Sequence, residues 1–218
     1  AESLTREITD TRARSALDDD VTIVRGEMFG DHPTEAGLQY LDEAIAVARR
    51  RGQAVRVPQL LLSRARARQT LLDSGGARGD LEAGIELLET QTSKDQDMSL
   101  ASRSGALRLY GQLVDQLVAS GAAPEDSLKV ADRAQRFVFD GTEQNQAPGH
   151  RDVAYGEAVI VYFETSASLL AWVVDGTGVT LHRLGEADEV ESLLRALDGQ
   201  AMPWEDADGK ALLGRRLI

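Results

Sequence analysis

Residues 156–184, "GEAVIVYFETSASLLAWVVDGTGVTLHRL", are the only part of the chain with the pattern of a sheet, and they follow a long helical pattern. Val159 to Phe163 is a continuous run of β-branched and aromatic residues, which fits a strand covered on both faces. Leu169 to Val174 is a second such run. The "DGTG" at 175–178 predicts a hairpin turn, because glycine accepts positive φ. Val179, Leu181 and Arg183 then alternate against Thr180, His182 and Leu184 as a third strand. Short turns between the three predict an antiparallel meander, which is marginal alone and needs a larger sheet or a helical cover. Glu186, Asp188 and Glu189 open a further helix with Val190, Leu193, Leu194 and Leu197 in a stripe and Gly199 at its end.

Upstream the period is helical. Residues 38–51 place Leu41, Ile45 and Ala48 on one stripe, with Arg49 to Arg51 at the negative end of the helix dipole and Gly52 beyond. Residues 55–74 form the next helix, entered near Pro58, with Leu61, Leu62, Ala65, Leu71 and Leu72 apolar and Gly75 and Gly76 as the stop. Asp80 occupies an N-cap position before "LEAGIELLE", in which Leu81, Ile85 and Leu88 share a face. A longer helix over 98–119 carries Leu100, Leu107, Tyr110, Val114 and Leu117 and ends at Gly121. The last opens at Pro124, Glu125 and Asp126 and lines up Leu128, Ala131, Ala134 and Val138. Residues 1–30 are less regular: Leu4, Ile8 and Leu17 hint at a helix, and "DDD" at 18–20 is a turn or a solvated helix face.

The second helices of successive pairs superpose through Ile45, Ile85 and Leu128, spaced 40 and 43 residues apart. Helical-pair repeats have periods from about 34 to 47 residues. "RGDLEAGIELLE" resembles the centre of a tetratricopeptide (TPR) repeat, where a small residue followed by an apolar one lets two helices approach. Gly84 with Ile85, and Ala44 with Ile45, match that pattern. The first helices are longer than TPR helices and the consensus Trp and Pro are not filled, so the units are elongated and degenerate. The expected fold is therefore mainly α, TPR-like helix pairs followed by a three-stranded antiparallel meander with one or two helices, an α+β chain. Polar, Gly- and Pro-containing residues 141–153 form the linker between a repeat domain at 1–140 and a segment at 154–218.

Bulk properties exclude several functions. A 218-residue chain with 42% hydrophobic residues can build a real core. A net charge of -12 opposes binding to phosphate backbones, so nucleic acid is not an expected partner. No run is long enough to span a membrane and the N-terminus lacks a signal-peptide pattern, which leaves the cytosol as the simplest compartment. The chain has no cysteine, which removes disulfides, thiolate metal sites and a cysteine nucleophile. No P-loop or dinucleotide fingerprint occurs, and no cofactor is expected.

Among candidate site residues, Arg64 and Arg68 share a helical face while Arg66 points away. If first helices line a concave groove, these two with Arg103 or Arg108 would receive an acidic peptide; the competing role is pairing with the chain's own carboxylates. His182 is expected as an outward strand residue and Trp172 as core, and His32 and His150 fall in loops without a ligand cluster.

"SLKVADRAQRFVFDG", a linker, the quoted strands and "VESLLRAL" together resemble the junction in bacterial proteins that join TPR-like repeats to a CHAT domain. The carriers are Ala131, Asp132, Arg133 and Ala134 in the last repeat helix, Trp172, Val173 and Val174 at the end of the second strand, and "GKALLGRRLI" as the helix leading into the CHAT core. The resemblance covers residues 125–218 well and 36–124 more loosely. It implies a caspase- or separase-like cysteine peptidase using a Cys and a His, neither of which can be placed in this chain. The expected role is a non-catalytic scaffold that binds a protein or peptide partner and regulates an attached CHAT peptidase. The alternative is a self-contained TPR-like binding module with no peptidase. Leu212, Leu213, Leu217 and Ile218 continue an apolar pattern to the last residue, which favours a further domain.

Overall fold

The computed structural model describes residues 11–29, 34–92, 100–139, 153 and 156–186. They form six α-helices and one three-stranded antiparallel sheet, so the chain is mainly helical with a small sheet after the helices, as the pattern predicts. No described helix is long and apolar enough to cross a membrane. The chain divides into two compact units, Ala1–Leu113 and Val114–Ile218. The linker expected over 141–153, the helix over 186–199 and the segment to Ile218 lie outside the described residues, apart from Val153 and Glu186.

The first unit holds α1 (Thr11–Phe29), α2 (Glu35–Arg50), α3 (Val57–Thr70), α4 (Ser74–Thr92) and the start of α5 (Leu100–Ala119). Helix α1 packs on α2, α2 on α3, and α3 on α4. Thr34 caps α2, accepting the Gly37 N–H at 3.0 Å, with Glu35 in the first turn and Arg49 and Arg50 in the last. The acidic run at 18–20 is a helix face with partners: Asp19 meets Arg50 at 2.7 Å and Asp20 meets Arg51 at 2.6 Å. Ile23, Leu41, Ile45, Ala48, Val57, Leu60 and Leu61 make one buried cluster. Where α1 crosses α2, a Cβ on Gly26 would overlap that of Ala44, so the small pair sets the helix separation. Gly84 does the same on α4, where a Cβ would press on Leu109 of α5.

Three helices end in a Schellman motif. After α2, Gly52 N–H reaches Arg49 O and Gln53 N–H reaches Ala48 O; after α5, Gly121 N–H reaches Val118 O and Ala122 N–H reaches Leu117 O. Both glycines have positive φ, 67° and 70°. After α3 the same bonds run from Leu72 to Gln69 O and from Asp73 to Arg68 O, but the left-handed residue is Leu72, at φ 64°. This corrects the expected course of the chain. Helix α3 stops at Thr70, Leu71 and Leu72 are exposed, and Gly75 and Gly76 form the first turn of α4 instead of a stop. The cap of α4 is Asp73, whose carboxylate accepts the Gly76 N–H at 2.9 Å. A Cβ on Gly76 would meet that carboxylate, the movable end of the exposed Asp73 side chain. Asp80, expected as the cap, lies in mid-helix and is buried.

The second unit contains the end of α5, α6 (Pro124–Phe139), β1 (Ala158–Glu164), β2 (Ser168–Asp175) and β3 (Gly178–Glu186), in sheet order β1-β2-β3. Leu128, Ala131, Ala134 and Val138 of α6 are buried as predicted, behind Glu125 and Asp126 in its first turn. Leu128 is fifth in its helix, whereas Ile45 and Ile85 are eleventh and twelfth in theirs. By the small residue three positions further on (Ala44, Gly84, Ala131), Leu128 corresponds to Leu41 and Leu81, at spacings of 40 and 47 residues. On α5 the buried stripe is Ala106, Leu109, Tyr110, Leu113, Val114 and Leu117, and Leu107 is exposed.

Leu170, Trp172 and Val174 of β2 are buried, and the Trp172 Nε1–H donates to Ser127 Oγ of α6 at 3.1 Å. Strand β2 is therefore the covered strand. Among the described residues strand β1 is an edge, paired with β2 alone, and Val159, Ile160 and Tyr162 are exposed, so the expectation of two covered faces does not hold. The 175–178 turn forms as predicted, with Gly178 at φ 157°, and a side chain fixes it. Asp175 Oδ1 accepts from Thr177 N at 2.7 Å, Thr177 Oγ1 at 2.6 Å and Gly178 N at 3.1 Å, and these bonds hold its carboxyl below the usual range.

Candidate peptide-binding site

The arginine-rich "SRARAR" at 63–68 lies in α3. Arg64 and Arg68, one turn apart, both reach the buried Asp80 of α4. Arg64 binds it in fork fashion, Nε to Oδ2 at 2.9 Å and Nη2 to Oδ1 at 2.5 Å, and its Nη1 extends to Asp42 of α2 at 2.5 Å. Arg68 Nη1 donates to Asp80 Oδ2 at 2.9 Å and to the carbonyl of Gly76 at 3.0 Å, with Asp73 3.6 Å from its Nε. One carboxylate thus serves two guanidinium groups, and the network ties α2, α3 and α4 together.

Burial pulls the Arg64 pKa down, but hydrogen bonds and charge from Asp80 and Asp42 more than offset it, leaving it above its ordinary value. Both arginines are held by this chain's own carboxylates, the competing role weighed for them above. The two anions differ in accessibility: the Asp80 side chain is 5% exposed and that of Asp42 56%. A carboxylate from outside could exchange with Asp42, keeping Arg64 paired, but not with Asp80.

The other two arginines do not join this cluster by any described hydrogen bond or ion pair. Arg103 is half-buried on α5, and its Nε has no partner among the described residues; Arg108 is exposed. Arg66 points to solvent as expected. Asp80 was not legible as a partner, since its place before an apolar run looks like a cap. The usable signal was the pair of arginines one turn apart facing the next helix. Two further polar ties were also missed: Gln112 Nε2 donates to Gln69 Oε1 at 2.9 Å, and Tyr110 Oη donates to Glu89 at 2.5 Å.

In the second unit a smaller polar group sits where α5 meets the β1–β2 hairpin. Thr165 Oγ1 accepts from Ala167 N at 3.2 Å and Ser168 N at 3.0 Å, closing the turn, and Ser166 Oγ lies 3.4 Å from Asp115 Oδ2. Burial pushes the Asp115 carboxyl above its usual value, while the Thr165 and Ser166 hydroxyls and the Arg183 charge pull it back. His182 is exposed on β3; His32 and His150 lie outside the described residues. Among the described residues no group of three or more acidic or histidine side chains is arranged to hold a metal ion. Compared with protein-family models, with curated proteins and with solved structures, the chain matches none of them.

Proposed function

We propose that the chain is a non-catalytic helical-repeat scaffold for protein–protein interaction, acting as the regulatory N-terminal part of a CHAT-type cysteine peptidase. The observation that carries the reading is the order of parts: helices that cross at small residues, Gly26 on Ala44, then a meander whose buried second strand contains Trp172. With no thiol among its 218 residues, the chain cannot supply a cysteine nucleophile, so cleavage by a cysteine-peptidase mechanism requires another segment. A partner that prefers one arrangement of scaffold and peptidase shifts the population toward it by its differential affinity. The Arg64 and Asp42 pair is the docking point for an acidic side chain of that partner, because Arg64 stays paired when the exposed Asp42 is replaced.

The test is to read the gene beyond the codon for Ile218 and assay the longer protein. The expected result is a strand-rich segment with a His and a Cys, and peptide cleavage that disappears when that Cys is changed to Ser. A stop codon directly after Ile218, or a following domain unrelated to caspases, overturns the peptidase part and leaves a self-contained binding module.

A further inference from the structure

The two edges of the sheet differ. Along β3 run His182, Arg183 and Glu186, and its pairing with β2 is interrupted by an irregularity at Leu169/Leu170. Both features discourage a further strand. Strand β1 has neither: Ala158 to Phe163 carries no charge, proline or bulge, and Glu164 comes only at its end.

The direction of the β1 backbone follows from two independent bonds. Thr165 N–H donates to Ser168 O at 2.9 Å across the hairpin, so odd-numbered residues turn their polar backbone toward β2 and even-numbered ones away from it. The Tyr162 carbonyl accordingly accepts from the Gln135 side chain of α6 at 2.9 Å, outside the β1–β2 ladder. Ala158 and Ile160 turn their N–H and C=O the same way, and among the described residues no strand pairs on that side. Beside this edge, Ile160 and Tyr162 are 50% and 48% exposed.

The charge around the edge selects the occupant. Exposed Glu157 and Glu164 bracket β1, Asp175 stands opposite Ala158, and neither β1 nor β2 contains a Lys or Arg. A second copy would bring the same acids and another net charge of -12. We propose that the open edge of β1 receives an extended basic segment of a partner protein, apolar residues alternating with Lys or Arg, which adds as a fourth strand along Ala158 to Ile160. Its backbone bonds supply affinity; its Lys or Arg side chains lie on the face of Ile160, Tyr162, Glu164 and Asp175, with stems against the first two and cations toward the two carboxylates, and its apolar side chains lie on the other face, beside Val159. This surface goes beyond the scaffold reading and does not depend on an attached peptidase.

The probe is a fluorescein-labelled peptide of alternating valine and lysine, titrated against the full 218-residue chain by anisotropy. Controls are a valine–glutamate peptide and a valine–lysine peptide N-methylated at alternate residues. Ile160→Pro removes an outward N–H and spares the β1–β2 ladder, which uses the odd-numbered residues. Saturable binding of the lysine peptide, weakened about tenfold by Ile160→Pro and by N-methylation and absent for the glutamate peptide, supports the proposal. No binding overturns it, as does binding indifferent to N-methylation, which means capture by the acidic surface at large. If Ile160→Pro does not fold, the N-methylated peptide alone decides. Self-association of the chain through β1 in sedimentation overturns the choice of occupant.

Discussion

Replacing an exposed leucine with glycine ordinarily destabilises a protein, but Leu72→Gly should stabilise this one. Leu72 occupies the left-handed position of a Schellman motif that Gly52 and Gly121 fill after α2 and α5. Holding a residue with a Cβ there costs about 1–2 kcal/mol. Glycine returns that energy but gives back about 0.4–1 kcal/mol through its greater freedom in the unfolded chain. The side chain is 88% exposed, so its loss removes only about 0.3 kcal/mol of the roughly 1.5–3 kcal/mol that a fully buried leucine supplies. The balance is a gain of about 0.5 kcal/mol. Urea unfolding at constant m-value measures it as a higher midpoint. Leu72→Ala, which keeps the Cβ, should show no gain, and Gly52→Ala should lose about 1 kcal/mol. Destabilisation by Leu72→Gly, or equal effects of the glycine and alanine variants, would refute the backbone argument and assign Leu72 a contact of its own.

Asp80→Ala should cost about 3 kcal/mol because it strands two arginines, while Asp42→Ala should cost under about 1 kcal/mol at its exposed place; urea midpoints of the two variants separate these outcomes. Gly26→Ala forces a Cβ into Ala44 and should lose about 1–2 kcal/mol, most of it recovered when Ala44→Gly is added; recovery in the double variant is the readout, and none is expected if the helices merely slide apart. Asp115→Asn should stabilise the protein at neutral pH. The carboxyl is raised in the fold, so its ionised form is a cost that is present at high pH and disappears as pH falls through the folded and then the ordinary carboxylate value. Thermal melts of variant and parent should therefore converge in acid, and a difference that persists there rejects the assignment.

The strands and α6 were legible because their signals are local and repeated: an apolar face every three to four residues in α6, and three short apolar runs joined by tight turns. What escaped depends on partners distant in sequence. Gly75 and Gly76 have the look of a break, and their segment is helical because Asp73 caps it and Asp80 is held by Arg64 and Arg68. Leu71 and Leu72 extend an apolar stripe that the Schellman turn has already ended. The composition of β1 is that of a central strand, and nothing in its seven residues tells that β2 is its one neighbour among the described strands. For the arginines the sequence placed both on one face and left open whether their anion was internal; the fold supplies Asp80.

The clamp on Asp80 also bears on how the first unit comes apart. The opening turns of α4 contain Gly75, Gly76 and Gly79, each about 1 kcal/mol less favourable in a helix than alanine. They hold their shape through a carboxylate gripped from α3, so neither helix can open there without releasing the other. Slow amide exchange should consequently rise and fall together across α3 and the start of α4, one cooperative block whose hinge points are its outer ends.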